Sequence, residues 1–306
     1  MRVLPQNICT LRLLMDTTVI DQSIQLSDGR TLSYAEYGSS GGTPVFYFHG
    51  TPSSRLEPML LGDRLSGSGL RIIAPDRPGM GLSDFQPGRD FSTWAEDLVC
   101  LADHLGLRRF GLLGNSGGGA YVAACAFRIP DRVTSAVIVS GAWRMDAPEV
   151  RRNLPFVNRI FWILARRFSP GLRLLLSTMR QPGKAPRDAE LAKMRPHLPP
   201  ADYAVLSEPG RLESLQRAIR EGLRTGTRGA AWDARMYVRP FDFDPADIRI
   251  PLRLFHGAQD RNVPLATVKA FVRKVPTATI TVLPEDGHLS SLCCHFEEIV
   301  SALQGF

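Results

Sequence analysis

Long apolar runs are missing from this sequence of 306 residues. No stretch approaches the roughly 18 uninterrupted apolar residues that a membrane-spanning helix needs, and the N-terminal residues lack the apolar core of a secretory signal. We therefore predict no membrane span and a cytoplasmic location. Hydrophobic residues at 44% and charged residues at 22% are typical of a folded globular protein and exclude a disordered chain.

Cysteine is scarce as well. The five cysteines are an odd number, and their spacing is not that of a zinc site. We expect all five thiols to be reduced, which excludes a disulfide framework, and we expect no metal site. The cysteines are Cys9, Cys100, Cys125, Cys293 and Cys294.

Lysine is almost absent, because 33 of the 37 basic residues are arginine. The net charge of +7 is concentrated in one segment, residues 144–240, which holds 19 basic and 9 acidic residues, a balance of +10. A nucleic-acid-binding protein would show basic stripes with aromatic or helical reading motifs, whereas these arginines are scattered through amphipathic, helix-like sequence. We therefore expect a solvated helical surface and no nucleic-acid partner.

Short apolar runs alternate with helix-like segments along most of the chain. The runs end in Gly or Pro and have the pattern of buried parallel strands. The clearest are residues 44–49 (PVFYFH), 70–74 (LRIIA), 110–114 (FGLLG) and 135–141 (SAVIVSG). This alternation predicts an α/β protein with a doubly wound, mostly parallel sheet.

An insertion separates the two halves of this pattern. Between Gly141 and the next predicted strand at Leu252 lie 110 residues, although a crossover between parallel strands needs only about a dozen. Apolar residues at helical spacing, cut by frequent prolines, predict several short helices there. The predicted units are an N-terminal extension at 1–22, an α/β core at 23–142 and 241–306, and a helical cap at 143–240. Met15 is an alternative start of the chain.

Residues 114–118 (GNSGG) form a G-x-S-x-G motif between a predicted strand and a predicted helix. This is the setting of a nucleophile elbow, a tight turn that strains the serine backbone and presents its hydroxyl at the carboxyl edge of the sheet. A phosphate-binding turn is disfavoured because the chain has neither G-x-G-x-x-G nor the lysine of a P-loop. Ser116 is the predicted nucleophile.

A serine nucleophile needs a base and a group that orients the base. Asp260 and His288 each follow a predicted strand, so both lie at the same carboxyl edge as Ser116. The chain order serine, aspartate, histidine is the one expected after a nucleophile elbow.

Several other residues compete for the acid and base roles. His295 falls inside the last predicted helix, and His256 ends a strand, where a buried structural histidine is expected. Asp286 lies in the histidine loop, which is the wrong loop for the orienting acid. Asp146, after the strand that ends near Gly141, is the alternative acid.

Together these residues resemble the α/β-hydrolase superfamily, in its capped, lipase- and esterase-like branch, over about residues 25–303. The family's oxyanion loop is matched by residues 49–52 (HGTP), its next loop by 76–84 (DRPGMGLSD) and its acid loop by 256–264. The resemblance implies a Ser–His–Asp triad, an oxyanion hole and no cofactor.

The resemblance also indicates where a substrate would bind. The backbone amides of Thr51 and Gly117 would bind the oxyanion. Because Gly50 is followed by threonine, the loop is not of the HGGG type, which disfavours very bulky alcohol groups. The tentative pocket residues are His49, which also braces the loop, and the aromatics Trp143, Phe156, Phe161, Trp162, Trp232 and Tyr237.

These features predict a serine hydrolase that cleaves a small-molecule carboxylic ester through an acyl-enzyme. The same triad also serves C–C bond hydrolases, lactonases, amidases, aminopeptidases and cofactor-free haloperoxidases or perhydrolases, because the pocket selects the substrate. Epoxide hydrolases and haloalkane dehalogenases are excluded, since they need a carboxylate where this chain has Ser116. A ligand receptor that keeps the hydrolase fold is the second alternative. The sequence does not indicate an oligomeric state.

Overall fold

The computed structural model describes residues 18–181 and 185–305. The strands are β1 Thr18–Gln25, β2 Thr31–Gly38, β3 Thr43–Phe48, β4 Leu70–Pro75, β5 Phe110–Asn115, β6 Val133–Val139, β7 Leu252–Gly257 and β8 Ala278–Leu283. They form one sheet in the order β1-β2-β4-β3-β5-β6-β7-β8. Every neighbouring pair from β4 to β8 is parallel, while β2 pairs antiparallel with both β1 and β4. The predicted mostly parallel α/β sheet is confirmed.

The first strand starts earlier than the sequence indicates. β1 begins at Thr18, inside the segment 1–22 that we predicted to precede the core, and pairs with β2. Ile24 at its end is buried, so this hairpin is part of the packed sheet. The alternative start at Met15 lies outside the described residues.

Helices cover both faces of the sheet. They are α1 Trp94–His104, α2 Gly118–Arg128, α3 Pro148–Asn153, α4 Phe156–Arg167, α5 Ser169–Thr178, α6 Arg187–Met194, α7 Pro200–Ser207, α8 Arg211–Gly222, α9 Arg228–Met236, α10 Leu265–Val272, α11 Ser290–Cys293 and α12 Phe296–Gln304. Along β3, Phe46 and Phe48 face α1 and α2, whereas Val45 and Tyr47 face α12. Both faces are therefore apolar, which explains why the parallel strands are continuous hydrophobic runs.

Helices α3 to α9 lie between β6 and β7, and we call this segment, residues 148–236, the helical insertion. Two of its prolines stand at helix starts, Pro148 in α3 and Pro200 in α7, where a missing amide hydrogen costs no helical hydrogen bond. None of the helices in the described parts of the chain has both the length and the apolar character needed to cross a membrane.

Candidate active site

Ser116 lies in the sharp turn between β5 and α2. Its backbone φ is +53°, in the left-handed region that residues with a side chain rarely adopt. A 2.8 Å hydrogen bond from its amide to the carbonyl of Val139 holds the turn. A Cβ atom at Gly118 would lie 1.9 Å from the carbonyl oxygen of Phe48, so only glycine fits there. The turn leaves Ser116 partly exposed at the carboxyl edge of the sheet.

His288 and Asp260 lie side by side at the same edge. Nδ1 of His288 is 2.7 Å from Oδ2 of Asp260. The other carboxylate oxygen accepts hydrogen bonds from the amides of Asn262 and Val263, at 2.8 and 2.9 Å. These amides fix the orientation of the carboxylate, and the carboxylate fixes the orientation of the imidazole.

Each member of this pair favours the charged form of the other. Burial opposes a charged imidazolium, but the Asp260 carboxylate outweighs burial and raises the pKa of His288. Burial also disfavours the carboxylate, but His288 holds the pKa of Asp260 below its ordinary value. Asp260 is therefore ionised and accepts the Nδ1 proton, which leaves Nε2 as the basic nitrogen of His288.

The end of β6 connects Ser116 to the loop of His288. Val139 accepts the amide hydrogen bond from Ser116, and the next residue, Ser140, donates its hydroxyl to the carbonyl of His288 at 3.2 Å. The structure thus brings the loops of all three predicted triad residues to one place.

Thr51 and Gly117 lie against each other beside Ser116. A Cβ atom at Gly117 would lie 2.5 Å from Oγ1 of Thr51, and one at Gly50 would lie 3.3 Å from Cβ of Ser116. Among residues 18–181 and 185–305, neither the Thr51 nor the Gly117 amide has a protein acceptor. Two adjacent amides without partners match the requirement of an oxyanion hole.

A buried carboxylate, Glu57, shapes the loop that carries Thr51. It accepts a 2.9 Å hydrogen bond from the amide of Gly50. It also accepts hydrogen bonds of 2.8 Å from the hydroxyl of Tyr47 and from the side-chain amide of Asn115. Because Asn115 precedes Ser116, Glu57 connects the loop of Thr51 to the turn at Ser116.

His49 lies beneath the same loop and is fully buried. Its Nδ1 is 2.8 Å from the carbonyl oxygen of Gly50, and burial lowers its pKa, so the ring is neutral. The tentative assignment of His49 to the substrate pocket is corrected by this burial, since the side chain has no surface to offer a ligand. It braces the loop.

The sequence model of the family described as alpha/beta hydrolase fold matches residues 43–292. The chain belongs to this family. It is 27% identical over 274 residues to the 2-hydroxymuconate semialdehyde hydrolase of Pseudomonas putida, and the alignment covers 87% of this chain and 87% of that protein. It is 40% identical over 124 residues to the non-heme chloroperoxidase of Streptomyces lividans, covering 39% of this chain and 44% of that protein.

A solved structure with the same fold is that of a thermophilic esterase from Thermogutta terrifontis. It superposes with a TM-score of 0.64 at 25% sequence identity, over 94% of this chain and 97% of that one. The predicted superfamily is confirmed, and the names of the relatives support an enzyme of hydrolase type. These relatives differ in the reaction they are named for, so the family alone does not select a substrate.

The other histidines and acids considered for the triad of this α/β hydrolase make different hydrogen bonds. Nε2 of His256 is 2.9 Å from the carbonyl oxygen of Val263 and lies 3.7 Å from Oδ2 of Asp260, farther than Nδ1 of His288, and burial lowers the pKa of His256. His295 pairs with Asp286 at 2.9 Å. Asp146 pairs with arginines of the helical insertion and its approach. The geometry therefore favours Asp260 and His288.

The helical insertion contacts the oxyanion loop of the hydrolase through Asp233 of α9. This carboxylate is fully buried and accepts a hydrogen bond from the hydroxyl of Thr51. It pairs with the guanidinium groups of Arg77 at 2.9 Å and Arg89 at 3.0 Å. Burial alone would raise the pKa of Asp233, but the two arginines hold it well below the ordinary value. Asp233 is therefore an ionised anchor.

A second carboxylate of the insertion, Asp202 of α7, holds the histidine loop. It accepts hydrogen bonds from the amides of His288 at 2.8 Å, Leu289 at 3.0 Å and Ser290 at 2.9 Å. The hydroxyl of Ser290 donates to it as well, at 2.9 Å. A Cβ atom at Gly287 would lie 2.4 Å from this carboxylate, so the loop approaches α7 as closely as glycine allows.

Three of the predicted pocket aromatics connect to the elbow. Tyr237 is buried and donates a 2.6 Å hydrogen bond to the carbonyl of Gly117. Trp162 of α4 packs edge-to-face on Tyr237, with ring centroids 6.1 Å apart, and Phe161 packs edge-to-face on Trp162 at 4.9 Å. These three remain candidates for the pocket wall.

The other predicted aromatics make different contacts. Phe156 is 73% exposed on the outer surface, so its assignment to the pocket is wrong. Trp143 is buried and stacked on Phe271 with centroids 3.6 Å apart, which is core packing. Trp232 donates its indole N–H to the carbonyl of Arg89 at 2.9 Å. The spacing of apolar residues predicts that a helix has an apolar face, but it does not predict which face would contact a substrate.

Sequence reasoning missed three buried carboxylates of the site, Glu57, Asp202 and Asp233. The partners of the last two lie far away along the chain, so no local motif reveals them. One signal exists for Asp233, because it stands on α9 among the buried alanines Ala230 and Ala234. An acid on an apolar face requires a buried partner.

Proposed function

We propose that this α/β hydrolase is a serine hydrolase that cleaves a small-molecule carboxylic ester through an acyl-enzyme. The observation that carries the proposal is the 2.7 Å contact between His288 and Asp260. It supplies an oriented base at the sheet edge where Ser116 adopts its strained turn. The likeness to a thermophilic esterase supports ester as the substrate class.

In this mechanism the hydroxyl oxygen of Ser116 attacks the ester carbonyl while Nε2 of His288 takes the hydroxyl proton. Asp260 stabilises the resulting imidazolium. The amides of Thr51 and Gly117 bind the oxyanion, and each such donor is typically worth on the order of 3 kcal/mol in the transition state. The intermediate then expels the alcohol, which receives the proton from His288, and the acyl group stays on Ser116.

A water molecule completes the cycle. His288 takes a proton from the water as its oxygen attacks the acyl carbonyl, and the same amides bind the second oxyanion. Collapse releases the carboxylic acid and returns the proton to Ser116. The hydrogen bond from Tyr237 to the carbonyl of Gly117 supports both steps because it helps to fix the orientation of the elbow backbone.

A second candidate is hydrolysis of a C–C bond with the same triad. It is favoured by the likeness to a 2-hydroxymuconate semialdehyde hydrolase, which extends over 87% of the chain. The chemistry at Ser116 and His288 would serve either substrate, so the residues of the pocket decide between them.

The test is turnover of p-nitrophenyl esters of increasing acyl length by the purified full-length protein, with 2-hydroxymuconate semialdehyde in parallel. Wild-type protein should turn over at least one ester continuously, and Ser116→Ala should abolish that turnover. Ser301→Ala, at an exposed serine, is the matched control and should keep full activity. A phosphonate ester probe should label Ser116, as read by mass spectrometry.

Three results would contradict the proposal. Equal ester turnover by Ser116→Ala would reject the nucleophile. Turnover of the semialdehyde with no ester turnover would favour the C–C hydrolase. A single slow acylation without continuous turnover would favour a ligand receptor that keeps the fold.

A further inference from the structure

The large hydrophobic side chains that are exposed in the described parts of the chain all lie on two neighbouring helices. They belong to α4, to α5 and to the residue that joins them, and we call this face the α4–α5 surface. They are Phe156, Val157, Ile160, Ile163, Phe168 and Leu174, and three of them are at least 69% exposed. Scattered single apolar residues are normal on a protein surface, but a contiguous group marks an interaction site.

Helical spacing shows that this group is not the packing face of α4. Phe156, Ile160 and Ile163 follow at intervals of four and three residues and form one outward stripe. The inner side of the same helix carries Trp162, which contacts Tyr237 near the elbow. α4 therefore has two apolar sides, one packed on the protein and one uncovered.

The charge of this region has one sign. Residues 150–187 contain nine basic residues and no acidic residue. Among the described residues, Arg167 and Arg173 are exposed and form no ion pair. Acids from outside the segment pair with two of its arginines, Asp146 with Arg166 at 3.4 Å and both Asp188 and Glu213 with Arg187. Arg167 and Arg173, next to the exposed Phe168 and Leu174 in the sequence, have no such partner among the described residues.

Exposed apolar side chains flanked by arginines fit an anionic lipid surface. A second copy of the chain fits poorly, because a two-fold contact would place the same arginines against each other. We propose that the α4–α5 surface binds the surface of anionic lipid bilayers, with Phe156 and Leu174 entering the headgroup layer and Arg167 and Arg173 contacting lipid phosphates. This goes beyond the proposed ester hydrolysis and does not depend on it.

The experiment is flotation of the full-length protein with lipid vesicles. Vesicles of phosphatidylcholine with about one-third phosphatidylglycerol should carry the protein upward at low salt, and pure phosphatidylcholine vesicles should not. Arg167→Gln/Arg173→Gln should lower the partition coefficient roughly 25-fold, because each arginine at an anionic surface contributes about fivefold. Phe156→Ser/Leu174→Ser should lower it at least about tenfold. All variants should keep the wild-type melting temperature.

Two control variants test whether vesicle binding depends on the α4–α5 surface itself. One tests the effect of positive charge elsewhere on the protein, and the other tests the effect of hydrolytic activity. Arg249→Gln/Arg273→Gln removes the same charge from exposed positions outside the α4–α5 surface and should bind vesicles like the wild type. Ser116→Ala should also bind like the wild type, so failure of the proposed hydrolysis leaves this result intact.

Several outcomes would overturn the proposal. One is no flotation of the wild type with anionic vesicles. Another is equal loss of binding in the Arg249→Gln/Arg273→Gln control. A third is a wild-type dimer in light scattering that Phe156→Ser/Leu174→Ser dissociates while vesicle binding is absent, which would assign the surface to a second copy.

Discussion

The sheet-edge loops and the helical insertion hold the candidate active site by different interactions. The loops are shaped by their backbone, since the turn at Ser116 depends on glycines and on a hydrogen bond to Val139. The insertion uses acidic side chains as hydrogen-bond acceptors, with Asp202 on the loop of His288 and Asp233 on the oxyanion loop. Buried carboxylates are costly unless every partner is in place. The sheet therefore carries the proposed triad, and we expect the alignment of its residues to depend on the insertion.

The largest effects should come from the residues on the sheet. Ser116→Ala and His288→Ala should each lower kcat at least about 10⁴-fold, and the double variant should fall little further because the residues act as a unit. Steady-state ester kinetics measure this. Additive losses in the double variant would show that the two residues act independently and would separate His288 from the nucleophile.

A slightly smaller effect should follow from Asp260→Asn, which should lower kcat about 10³- to 10⁴-fold. In the wild type, kcat/KM should fall as the pH drops through the pKa of His288, because the protonated ring cannot act as a base. Asp260 raises that pKa above 6.5, so the acid limb should lie above 6.5 and move to lower pH in Asp260→Asn. A pH profile of kcat/KM checks both points, and an unshifted limb would reject the pairing as its cause.

The insertion should contribute chiefly to stability through Asp233. Asp233→Asn removes the negative charge between Arg77 and Arg89 and should lower the free energy of unfolding by about 3 to 5 kcal/mol. Urea denaturation measures it. Asp247→Asn, at an exposed ion pair with Arg249, should change stability by less than about 1 kcal/mol. Equal effects in the two variants would show that burial of the Asp233 cluster confers no special stability.

The smallest effect should come from Asp202→Ala, which removes the acceptor for three amides of the histidine loop. A displaced imidazole should lower kcat about 10- to 100-fold with little change in KM. The acid limb of the pH profile should also move lower, because the charge of Asp202 helps to raise the pKa of His288. Asp202→Asn, which keeps one acceptor oxygen, should recover part of kcat, and exposed Asp188→Ala should have no effect.

If Asp202→Ala lowers only the melting temperature, with kcat and the pH profile unchanged, the insertion holds the histidine loop without positioning the base. That outcome would show that the insertion stabilises the folded protein and that the sheet-edge loops alone position the imidazole.

The parts of the fold that the sequence predicts are those in which neighbours in the chain interact. Runs of buried apolar residues mark the strands, and glycines packed around Ser116 mark the turn. The contact of Asp202 with His288 escapes prediction because an acid in the first turn of a helix is common for electrostatic reasons alone. The assignment of Phe156 to the pocket fails for a related reason. The sequence of a helix with two apolar sides does not show which side packs on the protein and which side faces solvent.

The two aspartates of the insertion limit how this enzyme can be recombined with its relatives. A chimera that exchanges residues 143–240 for the corresponding segment of another hydrolase must supply carboxylates in place of Asp202 and Asp233. Without Asp202, the amides of His288, Leu289 and Ser290 would face a foreign helix with no acceptor. Buried amides without a hydrogen-bond partner lower the free energy of unfolding. Grafts that transplant these carboxylates along with the new segment should therefore fold where simple segment swaps do not.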